Sequence, residues 1–202
     1  MNQEKLEKLL NELILLPRET DAVEFKVNNS KKEDLGKLIS AISNAASLND
    51  RKNGWLAYGV ENANHKIVGT KFNPKSEKIG NEELEFWLSK HLNPKVDFRI
   101  HQFSHEDLPI VIIEIPPALN QPVKFDNIAC IRIGSSTPKL SDYPEKESKI
   151  WSNINRKSFE KGIALENLSV PEVLALLDYS KYFSLTKQEI PSATQQFVIK
   201  MG

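Results

Sequence analysis

Two glutamates five positions apart, Glu19 and Glu24, stand near the start of this chain. The second lies in Ala22-Val23-Glu24-Phe25-Lys26-Val27, a run that alternates apolar and polar residues. Such alternation predicts a strand over 22–27 whose Val23, Phe25 and Val27 face a core, with Glu24 and Lys26 together on the other face. A carboxylate and an ammonium there are costly if buried alone and ordinary if paired or solvated. Their chemistry therefore depends on the segments laid against them. Pairing of Glu24 with Lys26 or Arg132 is one outcome.

Phosphate binding is the other chemistry that the residue types allow. Lys26, Lys31, Lys32, Lys37, Arg51, Lys52, Arg132 and Lys139 are candidates for a basic surface, and Ser135, Ser136 and Thr137 add hydroxyl donors. The 202 residues carry 27 bases and 27 acids, a net charge of zero, so a nucleic-acid binder of this composition needs a local basic patch. The same interspersed charges also fit an ordinary solvated surface.

Other chemistries are disfavoured. His101 and His105 fall in a strand-and-turn pattern, where a four-residue separation does not put them on one helical face, and no cysteine lies nearby to complete a zinc site. Asn53-Gly54 and Gly134-Ser135-Ser136 are the glycine-containing candidates for a phosphate loop, but no Walker pattern occurs. The single cysteine, Cys130, excludes an intrachain disulfide, sits in an apolar run and suits a reducing cytosol. No apolar stretch is long enough for a bilayer, and Met1 to Lys8 has no signal-peptide pattern. The expectation is a cytoplasmic chain with no membrane partner.

These residues need a scaffold. Leu6, Leu9, Leu10 and Leu13 predict a helix over 3–16 that Pro17 ends. Ser30 and Glu33 read as a capping box for a helix over 31–48, with Leu35, Leu38, Ile39, Ile42 and Ala46 on one face. Strands are predicted at 55–60, 66–69, 96–103, 108–115, 123–125 and 129–133, with a turn at 104–107. Helices are predicted at 80–92 and 145–156. Phe25, Leu38, Ile42, Leu56, Trp87, Val111, Ile113 and Ile131 are expected to share one core. The pattern is not a regular alternation of strand and helix, so the fold class is α+β: a mixed sheet of five to six strands with packed helices and a helical C-terminal appendage.

Glu19-x4-Glu24-Phe25-Lys26 resembles the opening of the Alba-like domain of the Schlafen family. The likeness continues in order along the chain. Leu38 to Ala46 is similar to that family's helix ending in Ala-Phe-Ala-Asn, Trp55 to Glu61 to its strand ending in Gly-Val-Asp, and Ile67-Val68-Gly69 to its next short strand. Arg132-Ile133-Gly134-Ser135-Ser136-Thr137 resembles its closing Arg-x-Gly-Ser-x-Thr. These anchors span roughly residues 19 to 140 and are specific through their shared order.

The resemblance implies a nucleic-acid-binding module of a larger regulator, of the kind found in bacterial proteins described as transcriptional regulators or ATP-binding proteins. Lys26, Arg51, Lys52, Arg132, Ser135 and Ser136 would be its nucleic-acid contacts, with DNA or RNA as partner and a homodimer as a further possibility. It also implies an alternative. In the family's ribonucleases three carboxylates hold a divalent metal, and Glu19, Glu24 and Glu61 match them one by one. Magnesium or manganese there would polarise a phosphodiester and activate water. Glu61-Asn62 stands where that family commonly has paired acids. A third possibility is a dimerisation or structural platform for an ATP-binding C-terminal domain. By the same resemblance, residues 1–160 are the Alba-like domain with its N-terminal helix. Residues 161–202 are a helical linker or the start of a truncated following domain, which makes the chain a fragment.

Overall fold

The computed structural model describes residues 1–16, 21–28 and 31–161, together with 169, 172, 176 and 179–187. The chain divides into two compact units, Met1–Glu160 and Lys161–Gly202. In the second, helix α5 covers Tyr179–Thr186, and the Ser169 hydroxyl and amide both donate to the Glu172 carboxylate. That pairing holds the Glu172 carboxyl below its ordinary range.

The first unit is α+β, as expected. Its mixed sheet orders the strands β1-β2-β7-β6, with β1 Val23–Lys26, β2 Gly54–Tyr58, β6 Arg99–His105 and β7 Leu108–Ile115. β1 and β2 run parallel, and helix α2, Lys32–Leu48, makes the crossover that parallel strands require. The other two pairings are antiparallel. Two smaller sheets complete the set: β3 Lys78–Ile79 with β4 Glu82–Glu83, and β8 Lys124–Phe125 between β5 Leu92–Asn93 and β9 Ile128–Ala129.

Both faces of the main sheet are covered, and this corrects the single-core expectation. Opposed residues in register share a face, so Leu56, Tyr58, Val111 and Ile113 meet α2, including Leu38 and Ile42. Ile131 is buried in that cluster and Trp87 packs against it. Phe25 belongs elsewhere. With Val23, Ala57 and Ile112 it forms a second cluster beneath helix α1, Gln3–Ile14, which contributes Leu10 and Leu13. Period-two alternation separates two faces but does not say that both are buried.

Other differences have local causes. Helix α3 is Leu84–His91, not 80–92, because Gly80 in a left-handed conformation turns β3 into β4 just before it. Ser104 and His105 remain in the β6–β7 ladder, so the turn is only Glu106-Asp107, both with positive φ. Residues 66–69 make no strand: Gly59 and Gly69 have positive φ, and one bridge joins Val60 to Ile67. The predicted 129–133 strand stops at Ala129, and two bridges, Cys130 to Lys139 and Ile133 to Ser136, close a tight hairpin beyond it. Lys31 occupies the N-cap of α2 with no side-chain cap bond; Ser30 lies outside the described residues. Val27 falls beyond the strand end and is exposed. Helix α4, Pro144–Lys161, adds Ile150 and Ile154 to the larger core.

Candidate nucleic-acid interface

Strand β1 determines what Glu24 meets. Its register opposite Leu56 turns the carboxylate toward the α2 face, where only 4% of the residue is exposed. A bare carboxylate there would carry a large desolvation penalty. Arg132, itself 1% exposed, supplies one partner: its Nη2 donates to Glu24 Oε2. Lys26, two residues along the same face, puts Nζ 2.8 Å from Glu24 Oε1. Each carboxylate oxygen thus meets a cation, the arrangement under which a buried charge is tolerated.

The guanidinium is held from its own side too. Arg132 Nη1 donates to the Ser135 carbonyl at 3.1 Å and to Thr137 Oγ1 at 3.3 Å. Reciprocal amide–carbonyl bonds between Ile133 and Ser136 close the turn, with Gly134 at φ +57. The sequence Arg-Ile-Gly-Ser-Ser-Thr therefore folds around its arginine, and the arginine fastens the hairpin to β1. Below it, burial and, second, the charge of Glu24 push the Tyr58 hydroxyl above its ordinary pKa.

A cavity of about 190 Å³ opens over this pair, with Asp34, Lys37, Ser135 and Thr137 around it. Lys37, on α2, and Lys139, closing the hairpin, are both exposed. Both act on the Cys130 thiol: burial raises its pKa, and the charges of Lys37 and Lys139 partly oppose that rise. Half-buried Lys26 and exposed Lys37 and Lys139 thus gather around one hairpin whose tip presents Ser135 and Ser136. Among the acids here, Glu24 is occupied by its two cations, which leaves Asp34.

The remaining sequence candidates lie elsewhere. Arg51 and Lys52 are exposed in the turn before β2. Because β1 and β2 are parallel and Lys26 lies level with Tyr58, they sit off the opposite end of the sheet from Lys26, at least the length of β2 away. Glu61 follows β2 and is half-buried; its carboxylate accepts from Asn64 Nδ2 at 2.9 Å. Glu19 lies outside the described residues. Among the described residues no three His, Cys, Asp or Glu side chains are grouped to hold a metal ion. His101 meets Glu114 rather than His105, and Gly54 sits inside β2, where an added Cβ would fall 2.2 Å from Ile42 Cγ2. Sequence reading gave Lys37 and Lys139 no special weight. Their signal was positional: Lys37 lies one helical turn after Asp34, and Lys139 directly follows the Arg-to-Thr hairpin.

Residues 19–141 match the family described as Schlafen, AlbA_2. That match covers more than half of the chain, and the chain belongs to this family. No curated protein matches it. Among solved structures it is similar to the DIP2311 protein of Corynebacterium diphtheriae, at 14% identity and TM-score 0.44, covering 68% of this chain and 30% of that one. It is also similar to the N-terminal domain of a RecG-related protein from Nitrosomonas europaea, at 20% identity and TM-score 0.40, covering 64% and 88%. The chain thus spans less than a third of the length of DIP2311. Among the described residues, no helix is long and apolar enough to cross a membrane.

Proposed function

We propose that the first unit is a nucleic-acid-binding module of a larger cytoplasmic regulator. The observation that carries this reading is the hairpin at 130–139. It is held to β1 by a buried ion pair and surrounded by Lys26, Lys37 and Lys139, with Ser135 and Ser136 at its tip. Such a rim is pre-organised: phosphates meet fixed donors without first ordering a loop. Arg132 serves by holding the hairpin, since its guanidinium faces Glu24. Arg51 and Lys52 form a second contact at the other end of the sheet.

Affinity for an oligonucleotide should fall steeply with salt, the three rim lysines contributing on the order of −3 to the log–log slope. Lys37→Glu and Lys139→Glu should each weaken binding across unrelated sequences and reduce that slope by about 1. No detectable binding at low salt would overturn the module reading and leave the platform for a further domain. The ribonuclease alternative requires Glu24 to give its oxygens to a metal, and Arg132 and Lys26 already contact both of them. That favours binding over cleavage.

A further inference from the structure

At the end of the sheet away from the hairpin lies a larger cavity, of about 370 Å³. That volume is within the range of small-ligand sites, roughly 300–1,000 Å³. Its walls mix polar residues with apolar ones, among the latter Val96, Pro116, Pro117 and Leu119. Two carboxylates line it, Glu114 and Asp97; Asp97 is exposed at the mouth and pairs with Arg99, which leaves Glu114 as the inner one.

Glu114 is held in a fixed pose. Asn53 Nδ2 donates to its Oε1 at 2.9 Å, and His101 Nε2 lies 3.3 Å from its Oε2. Its side chain is 16% exposed, and among the described residues no lysine or arginine is seen within ion-pair distance of it. It is therefore a largely buried carboxylate whose partners are an amide and an imidazole. Such a group gains most from a ligand that brings N–H donors.

The mouth has the opposite character. Arg99, the residue opposite Glu114 in the β6–β7 ladder, lines the cavity and is exposed, with Asp97 as its ion partner at 3.4 Å. Lys95 also lines it, its ammonium donating to the Ser89 carbonyl as well. Arg51 and Lys52 directly precede Asn53, which forms part of the wall. N–H donors are wanted inside, the exposed rim carries Arg99 and Lys95 beside Asp97, and apolar wall residues lie between.

We infer that this cavity takes an unpaired nucleobase bearing an exocyclic amino group, with Glu114 accepting from the amino edge and Arg99 and Arg51 meeting the attached phosphate. A carboxylate that accepts from the amino group of cytosine is an established mode of base reading. The base arrives either as a free mononucleotide or splayed from a single strand; the single-strand source rests on the function proposed above. In that case Arg51 and Lys52 belong to base capture rather than to the hairpin rim.

The test measures binding of cytidine and uridine monophosphates, and of oligo-dC and oligo-dT single strands, by calorimetry at low salt. Cytosine carries the amino group where uracil and thymine carry a carbonyl. The cytosine member of each pair should bind at least 10-fold tighter, and Glu114→Gln should remove that preference. Leu119→Trp, at an exposed wall position, fills the cavity without touching the core and should lower affinity at least 10-fold with folding intact. Binding of the mononucleotide identifies a free-nucleotide site; preference seen only with the strands identifies single-strand capture. Equal affinity within both pairs, or affinity indifferent to both variants, would overturn the inference. Lys37→Glu separates the two proposals. Oligonucleotide binding that it abolishes, but that ignores Glu114→Gln, removes the pocket and leaves the interface. Affinity that Lys37→Glu leaves unchanged, with the base preference intact, removes the hairpin rim and leaves the pocket.

Discussion

Glu24 and Arg132, 108 residues apart in sequence, form a buried ion pair that joins the first strand to a hairpin near the end of the domain. The pair spends the charge of both residues on architecture. It turns a resemblance of sequence, a glutamate early and an arginine late, into one physical contact. It also gives the hairpin its rigidity, because the same guanidinium holds Ser135 and Thr137.

Removing one partner should therefore be costly. Arg132→Met removes a buried cation from beside Glu24, and breaking a buried pair in this way costs about 3–5 kcal/mol. Urea denaturation should place the single variant well below the parent. Arg132→Met combined with Glu24→Leu should recover much of the loss, since no buried charge is then stranded. A single variant within about 1 kcal/mol of the parent would mean that the pair is hydrated.

Alkaline stability should depend on Tyr58. Burial, then the charge of Glu24, raises its pKa above the ordinary 10. The folded state holds that proton after the unfolded state has lost it. The contribution is thus complete below pH 10 and is lost as pH rises through the folded pKa. The slope just above pH 10 is about −1.4 kcal/mol per pH unit for this group. Tyr58→Phe should flatten the alkaline limb of a stability–pH curve by that amount. An unchanged limb would refute the assignment.

The elements were legible where local rules decide them. The ladder of β7 from Leu108 to Ile115 and helix α2 follow from periodicity and were read to within a residue. Alternation also put Glu24 and Lys26 on one face of β1. It could not reveal that α2 covers this face, because that depends on a crossover between β1 and β2. Nor could spacing tell that Arg51 and Lys52 leave the sheet at the end opposite Lys26: strand direction decides that. The short pair β3–β4 escaped because two-residue strands carry no period, whereas β8 falls within the strand expected at 123–125. Arg132 could be named as a partner of Glu24 from charge alone, but its burial is a consequence of the hairpin closing over it.

Gly36 shows a close approach in the second turn of α2. A Cβ there would lie 2.1 Å from Cε2 of the buried Phe125 ring. In an open helix Gly→Ala gains about 1 kcal/mol; here overpacking should outweigh that, at about 1–3 kcal/mol. The ring has little room to retreat, with the Trp87 and His91 rings 5.8 and 5.9 Å from it. Gly36→Ala should lower the melting temperature, and Phe125→Leu in the same chain should restore part of it. A stabilised Gly36→Ala would mean that Phe125 moves freely.

The two-sided sheet makes a prediction about coupling. Ile42 is fully buried in the α2-side cluster, and Phe25 is buried in the α1-side cluster. Ile42→Ala should cost about 2–5 kcal/mol and Phe25→Ala about 3–5 kcal/mol. Because the sheet lies between them and each cluster has its own members, the double variant should be additive within about 0.5 kcal/mol. Ile42→Ala with Leu56→Ala is the contrasting case: both occupy the same cluster, and residues that share a cavity depart from additivity by about 0.5–3 kcal/mol. Denaturant titration of the three single and two double variants, with the parent as reference, measures both cycles. Strong coupling between Ile42 and Phe25 would mean that the clusters relax as one core and that the sheet does not insulate them.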